Sequence, residues 1–278
     1  MIVKSWDGFK WYIENDSHKL VLNDGERTVI EFLKMVSGKG KVFVDIGAYL
    51  GSHTVRLAKY YEFVYAVEPN PEAVKVLREN LKLNDIYNYV IMQFALGDRE
   101  GEAILNLRGG SSTLLEGYKG KGKIRVKVKR LDDIIDYANV IKIDVEGYEE
   151  HVIRGGLDLI RKCKPVIVIE HHENREYKEL KGTRERIRKL LSDYISINLN
   201  GVHYAYVPKD YDLSKIKDAL VWDWINYVLK NIEEGRPWYY GLPRKWWYGA
   251  GITDFILALP DHILKEEEWI KRIVRGNT

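Results

Sequence analysis

Two short segments carry side chains that could hold a nucleoside ligand. The first is an apolar run that ends in Asp45, Gly47 and Gly51, and the second ends in Glu68 about twenty residues later. The glycines permit a tight turn and a close approach where a helix begins, and Asp45 places a carboxylate beside them. A carboxylate there suits a cationic amine rather than a pyrophosphate, and an acid at Glu68 can accept both hydroxyls of a ribose. An amine and a ribose point to S-adenosyl-L-methionine, whereas the Gly-x-Gly-x-x-Gly fingerprint of dinucleotide sites is absent.

Charged side chains also follow a later apolar run, at Lys142, Asp144 and Glu146. In a doubly wound sheet, ligands bind beyond the carboxyl ends of the strands, so we expect Asp144 and Glu146 to face the same crevice as the first two segments. Lys142 and Asp144 share one side of their strand because side chains alternate along it. A lysine inside a central strand is costly unless it is paired, which leaves a functional role and a structural ion pair equally open.

The next apolar run ends in His171 and His172, which Glu170 and Glu173 flank. Histidine is the commonest general base near neutral pH, so these side chains could remove a proton from an acceptor hydroxyl. Adjacent residues of a strand point to opposite faces, and we therefore expect only one of the two histidines to enter the site. Asp144 and the cluster from Glu170 to Glu173 could form a hard-cation site. No further converging ligand is visible in the sequence, and we expect no metal.

Two segments have side chains suited to an acceptor. A basic, glycine-rich segment contains Lys121, Lys123 and Lys127, which would suit an anionic acceptor such as a phosphorylated glycan carrier or RNA. The same alternation of charged and apolar residues is typical of a half-exposed strand, and we favour that interpretation. Further along, Trp246 and Trp247 could stack on sugar rings or bases, although tryptophans also form cores and dimer interfaces.

The order of apolar and amphipathic segments predicts an α/β fold. Short β-branched runs alternate with longer helical ones, as in a parallel sheet covered by helices on both faces. We predict strands at residues 41–46, 63–68, 89–94, 140–144 and 165–170, and helices at 51–59, 71–83, 147–161 and 183–192. Asn200-Gly201 between two further apolar runs predicts a hairpin with a type I′ turn, so the sheet should end in an antiparallel pair.

Three parts of the chain flank or interrupt this repeat. Residues 1–40 hold a predicted strand and an amphipathic helix near 26–36 that would cap the sheet, and we expect no chemistry there. Within the domain at 41–207, an insert at 101–130 has two strand-like runs and a glycine-rich tip. Residues 208–278 form an aromatic-rich extension with a predicted helix.

Composition limits the remaining possibilities. The chain has 278 residues and a formal net charge of +3, which is too small to predict nucleic-acid binding by the whole molecule. Its single cysteine, Cys163, excludes an intramolecular disulfide. The longest apolar runs are too short to span a membrane, and the first residues lack the apolar core of a signal peptide, so we expect a cytoplasmic location. The oligomeric state stays open, with a dimer as one option.

Several sequence blocks occur in a fixed order between Val42 and Glu173. They are Val44-Asp45-Ile46-Gly47-Ala48 with Gly51, Val67-Glu68-Pro69, Ala95-Leu96-Gly97-Asp98, Lys142-Ile143-Asp144-Val145-Glu146-Gly147-Tyr148-Glu149, and Ile169-Glu170. With these blocks the chain resembles the FkbM family of S-adenosylmethionine-dependent methyltransferases. The resemblance implies a Rossmann-like class I methyltransferase fold, with a seven-stranded, mostly parallel sheet and an antiparallel last strand. Tyr49 departs from the pattern, since the family often has asparagine there.

The resemblance also implies methyl transfer, usually to a hydroxyl oxygen of a sugar or a natural product. Methyl transfer would convert the cofactor to S-adenosyl-L-homocysteine, and Asp144, Glu146 and His171 would lie nearest the transferred methyl group. The expected cofactor residues are Asp45, Gly47, Ala48, Gly51, Ser52, Glu68, Pro69, Asn70, Ala95 and Leu96.

The acceptor is the least determined part of the prediction. We expect a hydroxylated small molecule or a glycan. RNA ribose methylation is the second hypothesis, because Lys142, Asp144 and the basic insert would suit it. A non-catalytic module that binds S-adenosylmethionine is the third, and it would require the C-terminal extension to block the acceptor pocket. The acids at three successive strand ends argue against that third hypothesis.

Overall fold

The computed structural model describes residues 1–23, 26–118, 120–173 and 177–212. The strands are β1 (Ile2–Lys4), β2 (Lys10–Tyr12), β3 (Gly38–Ile46), β4 (Tyr61–Val67), β5 (Tyr89–Met92), β6 (Ala95–Leu96), β7 (Gly101–Leu107), β8 (Gly122–Lys129), β9 (Val140–Ile143), β10 (Val166–Glu170), β11 (Tyr194–Asn198) and β12 (His203–Pro208). The α-helices are α1 (Arg27–Met35), α2 (Ser52–Leu57), α3 (Pro71–Leu83), α4 (Glu149–Arg154), α5 (Leu157–Cys163) and α6 (Thr183–Leu190). Short 3-10 helices occur at Asp16–Leu22, Ala58–Tyr60, Leu131–Asp133 and Lys178–Leu180.

Seven strands form the central sheet in the order β11-β12-β10-β9-β3-β4-β5. The pairs from β10 through β9, β3 and β4 to β5 are parallel, whereas β12 is antiparallel to both β10 and β11. This topology confirms the predicted seven-stranded, mostly parallel sheet with an antiparallel last strand. The strand order reverses at β3, because the chain runs outward through β4 and β5 and then returns to β9 on the other side. Ligands of such sheets bind beyond the carboxyl ends of the strands at this reversal.

Apolar side chains are buried on both faces of the sheet, which is why its strands read as continuous apolar runs. Val44 and Ile46 of β3, Ile141 and Ile143 of β9, and Ile167 of β10 are at most 1% exposed and belong to one core cluster. Burying a side chain of this size stabilises the fold by about 1.5–3 kcal/mol. The strand ends, and the polar side chains that follow them, are therefore held by a rigid core.

A buried arginine ties the N-terminal residues to the central domain. Arg56 of α2 is 1% exposed, and its Nε donates to Asp7 Oδ2 at 2.6 Å. Its Nη2 donates to the Val21 carbonyl at 2.8 Å, and its guanidinium lies over the ring of Trp11. A charge buried this deeply must be paired, so these contacts require the N-terminal residues to fold together with α2.

The insert at 101–130 forms a hairpin of β7 and β8, which β6 extends to a three-stranded sheet. One face of β8 buries Val126 and Val128 against Leu105, while Lys123 and Lys127 are exposed on the other. The alternation of charged and apolar residues is thus that of a half-exposed strand.

The helix predicted at 147–161 is in fact two helices, α4 and α5. The chain breaks at Gly155-Gly156, where a Cβ atom on Gly155 would lie 1.9 Å from the carbonyl oxygen of Gly97. This close approach of two backbones leaves no room for a side chain. Helix periodicity alone does not reveal such a contact, because it forms between residues far apart in sequence.

The turn between β11 and β12 also differs from the prediction. The loop is longer than a two-residue type I′ turn, since the strand pairing ends at Asn198 and Tyr204. Only Gly201 of the Asn200-Gly201 pair has a positive φ, at 93°. The Asn200 side chain instead accepts backbone hydrogen bonds from Val202 and His203, at 3.3 and 2.9 Å. A side-chain turn therefore replaces the backbone turn that was predicted.

Substituting Gly155 tests the backbone contact that separates α4 from α5. Gly155→Ala should lower the free energy of unfolding by about 1–3 kcal/mol, the usual cost of overpacking, because the added methyl collides with the Gly97 carbonyl. The matched control is Gly38→Ala in β3, where the new Cβ would meet only the flexible Lys41 side chain at 3.6 Å. Urea denaturation should show a lower free energy of unfolding for Gly155→Ala alone. Equal stability of the two variants would mean that the backbone contact at Gly155 is absent.

Candidate active site

A cavity of about 330 Å³ opens at the carboxyl ends of β3, β4 and β9. Ten of the residues predicted for the site line it, namely Gly47, Ala48, Ser52, Glu68, Pro69, Asn70, Ala95, Leu96, Asp144 and Glu146. Six other predicted residues, all described by the structure, are not part of its lining, namely Asp45, Gly51, Lys121, Lys123, Lys127 and His171. Trp246 and Trp247, with most of the predicted C-terminal extension, lie outside the described residues. Most residues predicted to bind the cofactor therefore line the cavity, whereas none of the described residues predicted to bind the acceptor does.

The carboxylate of Glu68 is fixed at the end of β4 by two backbone donors. Its Oε2 accepts the Tyr49 N–H at 2.9 Å, and its Oε1 accepts the Asn70 N–H at 2.8 Å. Burial raises the pKa of Glu68 to about 7, and the charges of Asp45 and Asp144 add to this, although both backbone donors oppose it. Each carboxylate oxygen keeps a further lone pair, so Glu68 can accept hydrogen bonds from a ligand in the cavity.

The turn after β3 depends on two glycines with positive φ. A Cβ on Gly47, whose φ is 83°, would lie 1.8 Å from the carbonyl oxygen of Asp144. A Cβ on Gly51, whose φ is 91°, would lie 2.6 Å from Leu77 Cδ1 of α3. We predicted that these glycines make room for a ligand. Their first role in the structure is to let the turn pack against β9 and α3.

Tyr49 joins three parts of the cavity wall. Its φ of 46° is in the left-handed region, which asparagine tolerates better than most side chains. The Tyr49 ring lies edge-on to His18, with ring centroids 6.4 Å apart. A Cβ on Gly110 would also lie 3.4 Å from the Tyr49 ring. The side chain thus lies close to both the N-terminal 3-10 helix and the tip of the inserted hairpin.

Lys142 lies among several acids beneath the cavity. It is 2% exposed, and its Nζ donates to Asp144 Oδ2 at 2.9 Å. Asp45 is opposite Lys142 in the β3–β9 register and is itself 1% exposed. Although burial favours neutral lysine, Asp144, Glu26 and Asp45 raise the pKa of Lys142 above its usual value. The predicted structural ion pair is therefore present.

Asp45 does not line the cavity, and its observed contacts are with neighbouring residues. Its Oδ2 accepts the hydroxyl of Thr54 at 2.5 Å, and its Oδ1 has no hydrogen-bond partner among the described residues. Because Asp45 is not part of the cavity lining, its predicted direct contact with a ligand amine lacks support in this geometry. Its observed contacts instead position α2 and Lys142.

The two histidines after β10 point in different directions, and only His172 lies among the acids that follow β9. His171 Nε2 lies 3.0 Å from the Tyr206 hydroxyl, away from the acids. His172 Nε2 instead lies 3.4 Å from Glu146 Oε2, and its Nδ1 lies 2.9 Å from Glu149 Oε1. The sheet register contained the signal, because Val168 pairs with Lys142 and the two-residue period then places His172 on the lysine's side.

The surroundings of the two histidines drive their pKa values apart. Burial and the nearby Arg184 lower the pKa of His171 to about 3, so its ring is neutral. Burial also acts to lower the pKa of His172, but the carboxylates of Glu149 and Asp144 outweigh it and raise this pKa to about 9. Free of other cations, His172 therefore carries a proton at neutral pH and cannot accept one from a substrate.

The cap and the inserted hairpin contribute residues that the sequence analysis missed. Glu26 and His53 both line the cavity, with His53 Nε2 3.0 Å from Glu26 Oε2. Residues from Gly109 to Leu114 of the hairpin tip also line it, and the Thr113 hydroxyl donates to the Glu146 carbonyl at 2.8 Å. None of these residues follows a strand of the central sheet, which is why the strand-end pattern did not reveal them.

The strand order and this cavity define a Rossmann-like class I methyltransferase. Comparison with known families gives the same answer, since the methyltransferase FkbM domain matches residues 45–196. The chain belongs to this family. Membership favours an enzyme over a non-catalytic binding module.

Individual relatives match over shorter stretches. The hexuronic acid methyltransferase AglP of Haloferax volcanii is 25% identical over 152 residues, covering 53% of this chain and 63% of the relative. A tRNA(Phe) (4-demethylwyosine(37)-C(7)) aminocarboxypropyltransferase of Methanocaldococcus jannaschii is 36% identical over 77 residues, covering 27% of this chain and 31% of the relative. The chain thus spans less than two thirds of the length of the curated relatives it matches.

Among solved structures, the methyltransferase FkbM from Methylobacillus flagellatus aligns with a TM-score of 0.49 at 19% identity, covering 70% of this chain and 56% of the other. Within the described residues, no helix is long and apolar enough to cross a membrane.

Removing the Lys142 charge tests whether the buried acids depend on it. Lys142→Met should lower the free energy of unfolding by about 3–5 kcal/mol near pH 7, the usual cost of removing one partner of a buried ion pair. The matched control is Lys164→Met, whose partner Asp210 lies 2.8 Å away in an exposed pair, and its stability should stay close to that of the wild type. Unchanged denaturation of Lys142→Met would mean that the acids do not require this ammonium group.

Proposed function

We propose that this methyltransferase uses S-adenosyl-L-methionine as methyl donor and methylates a hydroxyl oxygen of a sugar, glycan or other small hydroxylated acceptor. The observation that carries the donor assignment is the buried Glu68 carboxylate, which two backbone N–H groups fix at the cavity wall. A carboxylate at the end of the second strand is suited to the two hydroxyls of a ribose. The methylated product would leave together with S-adenosyl-L-homocysteine.

The rest of the donor would lie along the walls beside Glu68. The adenine would contact Asn70 and the backbone of Ala95-Leu96, which line the cavity next to Glu68. The methionyl part would follow the Gly47-Ala48 turn toward Asp144. Asp45 would act from behind this wall, through Thr54 and Lys142, rather than by touching the donor.

The reaction is an in-line displacement at the sulfonium methyl group. The acceptor oxygen forms a bond to the methyl carbon as the carbon–sulfur bond breaks. The electron pair of the broken bond stays on sulfur, which leaves as a neutral thioether. The protein must align the acceptor and take up the hydroxyl proton. Asp144 and Glu146 are the acids at this end of the cavity, and we assign the proton to one of them.

The acceptor side of the cavity suits a polyhydroxylated molecule. Ser111, Ser112 and Thr113 bring hydroxyl groups from the hairpin tip to the lining, where His53 adds an imidazole. Such groups both donate and accept hydrogen bonds, as sugar hydroxyls do. The relative that methylates a hexuronic acid supports the same class of acceptor.

RNA is the second candidate acceptor, because relatives named for tRNA modification also match part of the chain. The basic face of the hairpin gives this candidate little support. Arg125 already pairs with Glu102 at 3.0 Å, and Lys123 and Lys127 occupy the exposed side of a strand whose other side is core. The cavity lining includes none of these basic residues.

Glu68 allows the donor assignment to be tested directly. Glu68→Gln should weaken binding of S-adenosylmethionine and S-adenosylhomocysteine by about 1–3 kcal/mol in calorimetry, since one ribose hydroxyl loses its acceptor and an amide donor faces a backbone N–H. The matched control is Glu72→Gln, an exposed acid in the first turn of α3. It should bind both ligands as the wild type does.

The pH dependence of donor binding by the wild type and by Glu68→Gln provides a second test. Only ionised Glu68 can accept from both hydroxyls, and its pKa is raised to about 7. Affinity should therefore fall about tenfold from pH 8 to pH 6, as the binding-competent fraction of the wild type falls. Glu68→Gln should lack this fall in affinity between pH 8 and pH 6. Failure of the wild type to bind either ligand would exclude the donor assignment.

The acceptor is tested by transfer of a labelled methyl group from S-adenosylmethionine to uronic acids, neutral sugars, glycolipids, RNA and protein. We expect label on a sugar hydroxyl, with strongly reduced turnover in Asp144→Asn. Replacing Lys121, Lys123 and Lys127 together by Gln should leave sugar methylation unchanged. Label on RNA, with a salt-dependent loss in the triple variant, would instead favour the second candidate.

A further inference from the structure

Three side-chain atoms from β9 and the end of β10 converge beside the cavity. Asp144 Oδ1, Glu170 Oε1 and His172 Nε2 all lie within 4.8 Å of one another. His172 Nε2 is 4.0 Å from Asp144 Oδ1 and 3.6 Å from Glu170 Oε1. Among the described residues, neither Asp144 Oδ1 nor His172 Nε2 has a hydrogen-bond partner, although both atoms are buried. Buried polar atoms are seldom left in this state, because each one costs stability.

The hydrogen bonds of Glu149 determine which nitrogen of His172 points at the acids. Glu149 Oε1 accepts the backbone N–H of Gly147 at 2.8 Å, so this carboxylate acts as an acceptor. The same oxygen lies 2.9 Å from His172 Nδ1, which must therefore carry the hydrogen. The Nε2 atom of a neutral ring would then direct its lone pair at Asp144 and Glu170. A positive charge between these atoms, either a bound cation or a proton on Nε2, makes that arrangement favourable.

We propose that Asp144, Glu170 and His172 bind a divalent transition-metal ion, for which Mn²⁺ is the natural probe. One imidazole nitrogen and two carboxylate oxygens form a mixed ligand set that suits Mn²⁺, Fe²⁺ or Zn²⁺ better than Mg²⁺, which prefers oxygen alone. A histidine ligand almost always donates its other N–H to a carboxylate or carbonyl, as His172 does to Glu149.

The second oxygen of each carboxylate is also held in place. Asp144 Oδ2 accepts from Lys142 Nζ at 2.9 Å, which leaves Oδ1 directed at the proposed ion. Glu170 Oε2 lies 3.4 Å from His203 Nε2, and Asn200 Oδ1 in turn lies 3.1 Å from His203 Nδ1. Such outer contacts orient ligands before a metal arrives.

The distances between the donor atoms are close to those of a coordination shell. Metal bonds of about 2.0–2.2 Å place neighbouring ligand atoms roughly 3–3.6 Å apart. The separations from His172 Nε2 of 3.6 and 4.0 Å require a contraction of a few tenths of an ångström. We expected no metal because the sequence showed no further converging ligand. That reason fails, since His172 is on the same side as Asp144.

The site adjoins the region assigned to the acceptor, because Asp144 and Glu170 both line the cavity. A cation there could coordinate an acceptor hydroxyl and lower its pKa, so that the proton leaves more readily as the oxygen attacks the methyl carbon. This role rests on the proposed methyl transfer, whereas binding of the ion does not.

Titration of Mn²⁺ into chelator-treated full-length protein tests the site, with free Mn²⁺ followed by electron paramagnetic resonance. We expect saturable binding of one ion at this site. His172→Gln should weaken it at least tenfold, and Glu149→Gln about 10–100-fold, although Glu149 does not touch the ion. The matched control is His151→Gln, which alters a partly exposed histidine 3.1 Å from Asp98 and should bind Mn²⁺ like the wild type.

A measurement on the wild type alone covers the case in which the His172 variant does not fold. Pulsed paramagnetic resonance of bound Mn²⁺ should show coupling to an imidazole nitrogen. Absence of binding, binding without that coupling, or equal affinity of the His172 and His151 variants would overturn the proposal. S-adenosylmethionine binding is measured on the same samples. Binding of S-adenosylmethionine without binding of Mn²⁺ would exclude the metal site and leave the donor assignment intact. Binding of Mn²⁺ without binding of S-adenosylmethionine would exclude the donor assignment and leave the metal site intact.

Discussion

The buried ammonium group of Lys142 is the interaction on which the acidic end of the sheet depends. Burial of a carboxylate is costly unless a positive charge or several donors compensate it. Asp45, Asp144, Glu26 and Glu170 all raise the pKa of Lys142, which means that all four stabilise its charge. The strand that carries Lys142 is central and fully buried, so the charge has a fixed position. Glu26, Asp144 and Glu170 can consequently line the cavity in defined orientations instead of turning toward solvent, whereas Asp45 stays behind the wall.

The backbone around this charge is packed too closely for residues with side chains, and this close packing sets the shape of the adjoining cavity wall. Gly47 passes so near the Asp144 carbonyl that the ends of β3 and β9 become one wall. The N–H groups of Gly47 and Ala48 both donate to the Val67 carbonyl, at 2.9 and 3.0 Å, which joins the same turn to the end of β4. Close packing and hydrogen bonds therefore join the three strand ends. The backbone N–H groups of Tyr49, in the turn after β3, and of Asn70, just after β4, then fix the Glu68 carboxylate.

Sequence reasoning succeeded where chemistry and local structure coincide. Gly47 and Glu68 directly follow apolar strands, so their residue types, their spacing and their positions in the chain all indicated the same wall of the cavity. It failed where the decisive contact is long-range. The sequence could not decide between His171 and His172, because the parallel register between β9 and β10 is not visible in either segment alone. Glu26 and His53 were missed because neither follows a strand of the sheet, and their contact joins the N-terminal cap to α2.

The hairpin side of the cavity is built from such long-range contacts, and Tyr49 shows how they constrain one another. A non-glycine residue in the left-handed region costs about 1–2 kcal/mol, which the surrounding contacts must offset. The Tyr49 ring contacts His18 and approaches the hairpin tip, where side chains at Gly109 and Gly110 would meet Ser17 and Tyr49 at 3.4 Å. An asparagine at position 49 would relieve the strain but would lose these contacts of the ring. The backbone at Gly109 and Gly110 therefore packs closely because both the 3-10 helix and Tyr49 lie against it.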